Sequence, residues 1–290
     1  MSKNISIKDL EMYESTWCPG CGDNAILVAL KQAVIRLKID PNNIVIVSGI
    51  GCSSKLPDYF RSFSFHTLHG RPLPVAQAIK LANPKLTVIV TTGDGDGYAI
   101  GIGHLVHAAR RNIDITMLTM NNQVYGLTKG QYSPTARVNF ISGTTPNGSK
   151  EQPIDAVSLT LAAGAGFVSR TFAGDIKETS QLIEQAIQHH GFSFIDILSP
   201  CVTFNKINTY EWFKQNIEKI KDDKSYDCHD PVSAFNKIKT STKIPVGLIF
   251  KEEKPTYEDQ VLDKSKNSLV FEDLEFDNNE FKKIIEKYRY

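Results

Sequence analysis

Between residues 44 and 198 this chain alternates repeatedly between short apolar runs rich in β-branched residues and longer stretches with three- and four-residue apolar spacing. "NNIVIVSGIG" reads as a buried strand ending in glycines, "PVAQAIKLANP" as a helix closed by Pro84, and "LTVIVTTGDGD" as a second strand. "AIGIGHLVHAARRN" then reads as a helix and "IDITMLTMNN" as a third strand, and "DAVSLTLAAGAG", "FVSR", "DIKETSQLIEQAIQHH" and "FSFIDILSPC" continue the pattern. Upstream, "DNAILVALKQAVIRLKI" has helical spacing, with Asp23 or Asn24 as the expected N-cap. Strand, crossover helix, strand in repetition gives an α/β fold: a mostly parallel sheet flanked by helices on both faces. Ligands bind at the carboxyl ends of the strands in such sheets, so the glycine-rich strand ends are where a site is expected.

The texture changes after residue 205. "TYEWFKQNIEKIKDD" reads as an amphipathic helix, "IPVGLIF" as a short strand, and residues 251–290 as a charged arm with scattered Phe and Leu. The chain therefore divides into an α/β domain, 1–205, and a C-terminal extension, 206–290, expected to pack on its own domain or on a partner. A length of 290 residues with 41% hydrophobic content is enough for a large core. With 33 Lys+Arg against 32 Asp+Glu, no whole-chain field attracts nucleic acid or an anionic membrane. The leader "MSKNISIKDLEMYESTW" lacks the apolar run of a secretory signal, and no later stretch is long and apolar enough to span a bilayer. The expected location is the cytoplasm. Five cysteines suit a reducing compartment better than a disulfide framework, which makes the thiols candidates for metal binding or catalysis.

Two stretches carry chemistry. "TWCPGCGD" holds Cys18 and Cys21 two residues apart and fits three chemistries: a dithiol redox centre, half of a zinc site, or part of a cage for an iron–sulfur cluster. "TTGDGDGYAIGIGHL" is a glycine-rich turn between a strand and a helix, which presents backbone N–H groups to an anion. A dinucleotide site would want an uninterrupted Gly-x-Gly-x-x-Gly turn, whereas here aspartate stands among the glycines. A carboxylate in an anion cradle repels phosphate unless a hard cation lies between them, so Asp94 reads as a Mg²⁺ ligand bridging to a diphosphate. The next strand ends in "MNNQVYG", where the Asn122 side chain and the Val124 carbonyl complete an oxygen site with Asp94.

Gly-Asp-Gly, a strand-helix-strand interval and an Asn-Asn pair make up the thiamine diphosphate motif. "GDGDGYAIGIGH…NNQVYGLTKGQYSPT", with "WCPGCG", "GIGCSSKLPDYF", "HTLHGRPLPVAQAIK" and "LSPC", resembles the β subunits of the 2-oxoacid:ferredoxin oxidoreductases over nearly the first 205 residues. The resemblance implies a [4Fe–4S] cluster on Cys18, Cys21, Cys52 and Cys201; thiolates suit such clusters, and a cubane takes four. A thioredoxin-like reading of "WCPGC" fares worse because a polar leader, not a strand, precedes it. Zinc in a tetrathiolate site stays as the alternative for the same sulfurs. Cys228 has no counterpart in the family set.

The resemblance further implies that Ile50, Gly51, Cys52 and Ser53 line the thiamine, that Gly95 and Asp96 contact its diphosphate or aminopyrimidine side, and that Gly126 and Leu127 close over it. It gives His69 a hydrogen bond to a cofactor phosphate or the reacting carbonyl, while His66, His104 and His107 read as structural. Lys55 matches a position that faces substrate, where an ammonium pairs with a carboxylate, and Leu127 shapes the same pocket. The implied activity is coenzyme A-dependent oxidative decarboxylation of 2-oxoacids such as pyruvate or 2-oxoglutarate to acyl-CoA and CO₂, with electrons passing to ferredoxin. The activating glutamate of thiamine enzymes is expected from a partner α subunit, in a heterodimer or doubled heterodimer. Two other classes compete: a non-redox thiamine decarboxylase subunit with a structural metal site, and a pure electron-transfer module, which leaves the Gly-Asp-Gly motif unexplained. The Lys55 reading predicts that the enzyme turns over both pyruvate and 2-oxoglutarate in side-by-side assays and that Lys55→Ile loses one of the two activities; a wild type active on a single acid would remove it.

Overall fold

The structure, a computed structural model, describes residues 5–263, 268–272 and 277–289. Its strands are β1 (Ile44–Ser48), β2 (Phe63–His66), β3 (Thr87–Gly93), β4 (Thr116–Asn121), β5 (Val124–Tyr125), β6 (Gln131–Tyr132), β7 (Phe167–Phe172), β8 (Ser193–Leu198), β9 (Ile217–Lys219) and β10 (Ile244–Lys251). The helices are α1 (Gly22–Leu37), α2 (Leu56–Tyr59), α3 (Pro72–Ala82), α4 (Ile102–Arg111), α5 (Ala156–Ala162), α6 (Ile176–Gln188), α7 (Tyr210–Asn216), α8 (Pro231–Thr240), α9 (Tyr257–Val261) and α10 (Asn278–Lys287).

Eight strands form one sheet in the order β2-β1-β3-β4-β8-β7-β10-β9, and β5 and β6 make a small hairpin above it. All neighbours in the large sheet run parallel except β7 and β10. The mostly parallel sheet expected from the alternating pattern is thus present. Its central strands are apolar on both faces because both faces are covered. Val45 and Val47 of β1 point into one core with Met117 and Phe194, whereas Ile44 and Ile46 point into the other with Leu118, Met120, Ile195 and Ile197. Helices α1 and α6 cover the second face, and α3, α4, α5 and α8 the first. Chain direction across the sheet reverses between β1 and β3, which opens a crevice at their carboxyl ends.

Three local expectations change. Helix α1 begins at Gly22 after Cys21, with no side-chain cap; Asp23 turns inward to accept a 2.7 Å hydrogen bond from Ser199 Oγ, and Asn24 accepts one from Ser15 Oγ. The stretch read as one amphipathic helix, 209–223, ends its helix at Asn216, and Ile217–Lys219 becomes β9, paired with β10. The available sheet edge outweighs helical spacing there. The boundary at 205 separates chemistry rather than topology, since β9 and β10 lie beyond it and continue the same sheet.

The start of the expected charged arm docks on its own domain. Thr256 and Asp259 form a capping box for α9, Glu258 Oε1 accepts from Asp114 N at 2.8 Å, and Asn112 donates to the carbonyls of Lys254 and Pro255. Parts of the arm, 264–267, 273–276 and 290, lie outside the described residues. Among the described residues no helix is long and apolar enough to cross a membrane.

His189 follows α6, its side chain fully buried against Phe167 and its Nδ1 3.4 Å from Glu253 Oε1. Burial holds the imidazole below its ordinary value, with Glu253 opposing. The native state therefore refuses a proton that the unfolded chain accepts below about pH 6.5, so stability falls as pH drops through that value. Urea midpoints between pH 7.5 and 5 should decline less steeply for His189→Gln than for the wild type.

Candidate functional site: a cavity at the carboxyl ends of β1, β3 and β4

The loops after β1, β3 and β4 enclose a cavity of about 190 Å³. The loop after β1 contributes Ile50, Gly51, Cys52 and Ser53, and the segment before α3 contributes His69. The turn after β3 supplies Asp94, Gly95 and Asp96; the β4 end and the following hairpin supply Asn122, Val124, Gly126 and Leu127. Every cofactor and cation residue expected from the sequence thus reaches one wall. Lys55 does not: it lies beyond the cavity, and its Nζ donates to Thr16 Oγ1 at 3.2 Å.

The two aspartates of Gly-Asp-Gly-Asp-Gly have opposite tasks. Asp96, 2% exposed, spends its carboxylate on the protein's own loops. Oδ1 accepts from Ile50 N at 3.1 Å, Gly70 N at 2.7 Å and His69 Nδ1 at 2.5 Å, and Oδ2 accepts from Thr92 Oγ1 at 2.6 Å. Asp96 lines the cavity as expected from the sequence, and its carboxylate in addition serves four donors of the protein's own loops. His69 is affected too. With Nδ1–H given to Asp96, its Nε2 donates only when the ring carries a second proton.

Asp94 is buried, and both Ser133 Oγ and Thr135 Oγ1 reach its Oδ2 at 2.5 Å. Burial pushes this carboxyl up to about 6, and the two hydroxyls pull it back only partly. A divalent cation on the same carboxylate would compensate the buried charge. Asn122 belongs to the same wall, its Oδ1 accepting from Val124 N at 3.0 Å. Ser53 Oγ is buried beside the cavity with no hydrogen-bond partner, an orphan that a ligand oxygen would satisfy. Gly95 leaves room for the Tyr125 ring, which a Cβ there would meet at 2.3 Å, and Tyr125 OH donates to Gly95 O. These features fit a diphosphate held through a cation.

The expected cluster cysteines converge beside the cavity. A Cβ on Gly126 would stand 3.3 Å from Cys52 Sγ and 3.9 Å from Cys201 Sγ, so the two sulfurs flank one residue of the cavity wall. Cys21 feels the charges of Cys52 and Cys201, and Cys52 those of Cys201 and Cys18. Cys21 N donates to Cys18 O, Gly22 N to Pro200 O, and Thr203 Oγ1 to Cys18 Sγ, which ties the first cysteine pair to the segment after β8. Trp17 Nε1 donates to Cys52 O at 2.7 Å. Burial raises both inner thiols, Cys52 to about 11, so a bound metal must displace their protons. Among the described residues no three His, Cys, Asp or Glu side chains surround a point suited to a single ion. A cubane instead takes its four thiolates on four separate irons, so they stand further apart. Cys228 lies away from this group, between Tyr226 and Lys251.

Several contributors carry no sequence signal strong enough to single them out. Asp23 is buried beside Cys21 and Cys52, Ser133 and Thr135 arrive from the β5–β6 hairpin, and Gly49 faces Asp96. The two hydroxyls flanking Pro134 give a faint hint of a paired donor; Asp23 and Gly49 give none.

The fold and site define a class. Residues 49–197 match the thiamine pyrophosphate enzyme family, C-terminal TPP binding domain, and residues 201–266 match the C-terminal family of the pyruvate ferredoxin oxidoreductase beta subunit. The chain is 41% identical over 273 residues to a 2-oxoacid:ferredoxin oxidoreductase subunit beta of Saccharolobus solfataricus, covering 90% of each chain. It is 42% identical to subunit beta of 2-oxoacid:ferredoxin oxidoreductase 1 of Aeropyrum pernix, over 91% of this chain and 86% of that one. A solved 2-oxoglutarate:ferredoxin oxidoreductase from Magnetococcus marinus, with 2-oxoglutarate, coenzyme A and succinyl-CoA bound, superposes with a TM-score of 0.89 at 39% identity, over 99% of this chain and 97% of that one. The chain belongs to the β subunits of the 2-oxoacid:ferredoxin oxidoreductases, and is one subunit of an oxidoreductase with a thiamine diphosphate-binding domain.

A Cβ at Gly49 would lie 1.7 Å from Asp96 Oδ2, a carboxylate that four donors prevent from moving aside. Gly49→Ala is expected to cost about 1–3 kcal/mol of stability, the range for overpacking, and to abolish thiamine diphosphate binding. Urea unfolding and a titration with the coenzyme followed by intrinsic fluorescence check both.

Proposed function

We propose that this chain holds thiamine diphosphate, Mg²⁺ and one [4Fe–4S] cluster in a single site. With a partner α subunit it oxidises 2-oxoacids such as pyruvate or 2-oxoglutarate to acyl-CoA and CO₂, passing electrons to ferredoxin. The observation that carries this reading is the double membership of Cys52: it lines the cavity and belongs to the cysteine group, with Cys201 just across Gly126. When bound, thiamine diphosphate supplies the carbon nucleophile and electron sink, and the cluster supplies an acceptor for single electrons.

The chain's own residues prepare the place. Asp94, Asn122 and the Val124 carbonyl are the oxygen donors for Mg²⁺, with Asp94 Oδ2 held back by Ser133 and Thr135. Ser53 brings an unpaired hydroxyl to the wall, and Gly95 and Gly126 leave room for the Tyr125 ring and the Cys52 sulfur that border it. Ile50 and Leu127 stand exposed at the rim, 43% and 51%, where a partner surface would cover them and shed water. His69, aimed by Asp96, is the titratable ring nearest the reacting region; Cys18, Cys21, Cys52 and Cys201 are the cluster ligands. Lys55, outside the cavity but close enough for its charge to act on Cys52, would pair with a substrate carboxylate entering on that side.

The carboxylate that activates the aminopyrimidine is assigned to the α subunit. The aspartates lining the cavity are committed, one to its cation and the other to its loops. Four thiolates given to a cluster, in a chain of five cysteines, suit the reducing setting of a cytoplasm better than a disulfide framework. Relatives support the substrate class: the Saccharolobus solfataricus and Aeropyrum pernix proteins are named for 2-oxoacids in general, and a protein of Mycobacterium tuberculosis, 46% identical over 192 residues, is named a 2-oxoglutarate oxidoreductase subunit.

Purified with its partner under argon, the complex is expected to contain about four iron and four acid-labile sulfide per β chain and to show a brown absorption that bleaches on addition of 2-oxoacid. Cys201→Ser should lose that absorption while still binding thiamine diphosphate. Zinc in place of iron, or a spectrum indifferent to 2-oxoacid, would leave the non-redox decarboxylase with a structural metal as the better reading.

A further inference from the structure

A buried polar chain runs from Asp94 away from the cavity. Thr135 Oγ1 lies 2.5 Å from Asp94 Oδ2 and 2.9 Å from Asn121 Oδ1. Asn121 Nδ2 donates to Asp196 Oδ1 at 3.0 Å, Tyr98 OH donates to the same oxygen at 3.0 Å, and Arg170 Nε donates to Asp196 Oδ2 at 2.8 Å. Asn121, Thr135, Asp196 and Tyr98 are all buried, the first three beside a small pocket, so their polar atoms are satisfied chiefly by one another. Asp196 and Arg170 are register partners on adjacent parallel strands β8 and β7, which sets their pairing by the backbone.

The chemistry of the chain has a direction. Asp196 is a carboxylate bonded to an arginine, so it accepts, and the Asn121 amide must present its NH₂ to it. The Asn121 carbonyl oxygen must then face Thr135. Thr135 has one hydroxyl proton and two acceptors, Asp94 Oδ2 and Asn121 Oδ1. Ser133 has its own proton for Asp94 Oδ2. Thr135 Oγ1, itself 3.2 Å from Ser133 Oγ, thus bridges Asp94 Oδ2 and Asn121 Oδ1, so the place of the Asp94 oxygen is tied to the orientation of the Asn121 amide.

We propose that Thr135, Asn121 and Asp196 are positioning residues for the Asp94 carboxylate, a hydroxyl with two acceptors backed by an amide whose orientation the Asp196–Arg170 pair dictates. The arrangement holds Asp94 Oδ2 against the hairpin and lets the carboxylate meet a divalent cation at little reorganisation cost. This rests on Asp94 being the cation ligand under the proposed function. Residues that orient metal ligands in this way typically change affinity by about 10–100-fold when removed.

Mn²⁺, which favours the same oxygen donors, serves as the probe, its binding measured by the loss of the free-ion electron paramagnetic resonance signal. The titration uses the complex of this chain with its partner subunit, at saturating thiamine diphosphate. Thr135→Val, nearly isosteric, is expected to weaken Mn²⁺ binding about 10–100-fold. Thr135→Ser should restore it close to the wild-type value, which a purely packing role of the Thr135 methyl would not allow. Asp196→Asn, which removes the demand on the Asn121 amide, should weaken Mn²⁺ with a far-ultraviolet dichroism spectrum like that of the wild type. Wild-type affinity in Thr135→Val, with weakened binding in Asp94→Asn, overturns this inference alone. Undiminished Mn²⁺ binding by Asp94→Asn overturns the assignment of Asp94 as ligand and this inference with it.

Discussion

The acceptance of four hydrogen bonds by one buried carboxylate, Asp96, holds the site together. Its donors come from three segments: Ile50 after β1, His69 and Gly70 before α3, and Thr92 at the end of β3. Charge-assisted bonds of this kind are stronger than neutral ones and, in a buried setting, costly to break singly. Because Ile50 is anchored, the loop that carries Cys52 and Ser53 starts from a set place. Gly49 is required by the same contact, since any side chain there would enter the space of the Asp96 oxygens.

On that frame the cavity and the cysteine group share one wall. The loop after β1 has Cys52 and Ser53 side by side, and the hairpin after β4 has Gly126 between the sulfurs and the cavity. Both places are dry enough to push acids up: Asp94 and Asp23 to about 6, and Cys52 to about 11. Buried acids without compensation are expensive in a folded chain, and cations are the ordinary compensation. A cation at Asp94, under the proposed function, would relieve the cost of that buried carboxylate.

Much of this is legible in the chain. The alternation of strand and helix patterns specifies the parallel sheet; Asp94, Asn122 and the Cys18–Cys21 pair stand out by residue type and spacing, whereas Cys52 and Cys201 join that pair only through the family resemblance. Asp23 illustrates the limit: its position at a helix start reads as a cap, yet Ser199, from the far side of the sequence, draws it inward. The 209–223 segment shows another, because its helical spacing gives way to an open sheet edge beside β10. Asp96 stands out by its motif, but its tying together of three loops does not, because sequence spacing does not reveal which loops fold back upon a turn.

The sequence by itself determined the fold class and the chemical inventory, since hydrophobic periodicity and the identity of oxygen and sulfur donors are local properties. Only the tertiary structure decided that Asp96 clamps loops while Asp94 meets the Ser133 and Thr135 hydroxyls, that Lys55 stands outside the cavity, and that Thr135, Asn121 and Asp196 form one chain behind Asp94. Those outcomes depend on hydrogen-bond geometry between residues as far apart as Asn121 and Asp196, brought together on neighbouring strands. A proton can be assigned to an acceptor only once the competing acceptors are in place.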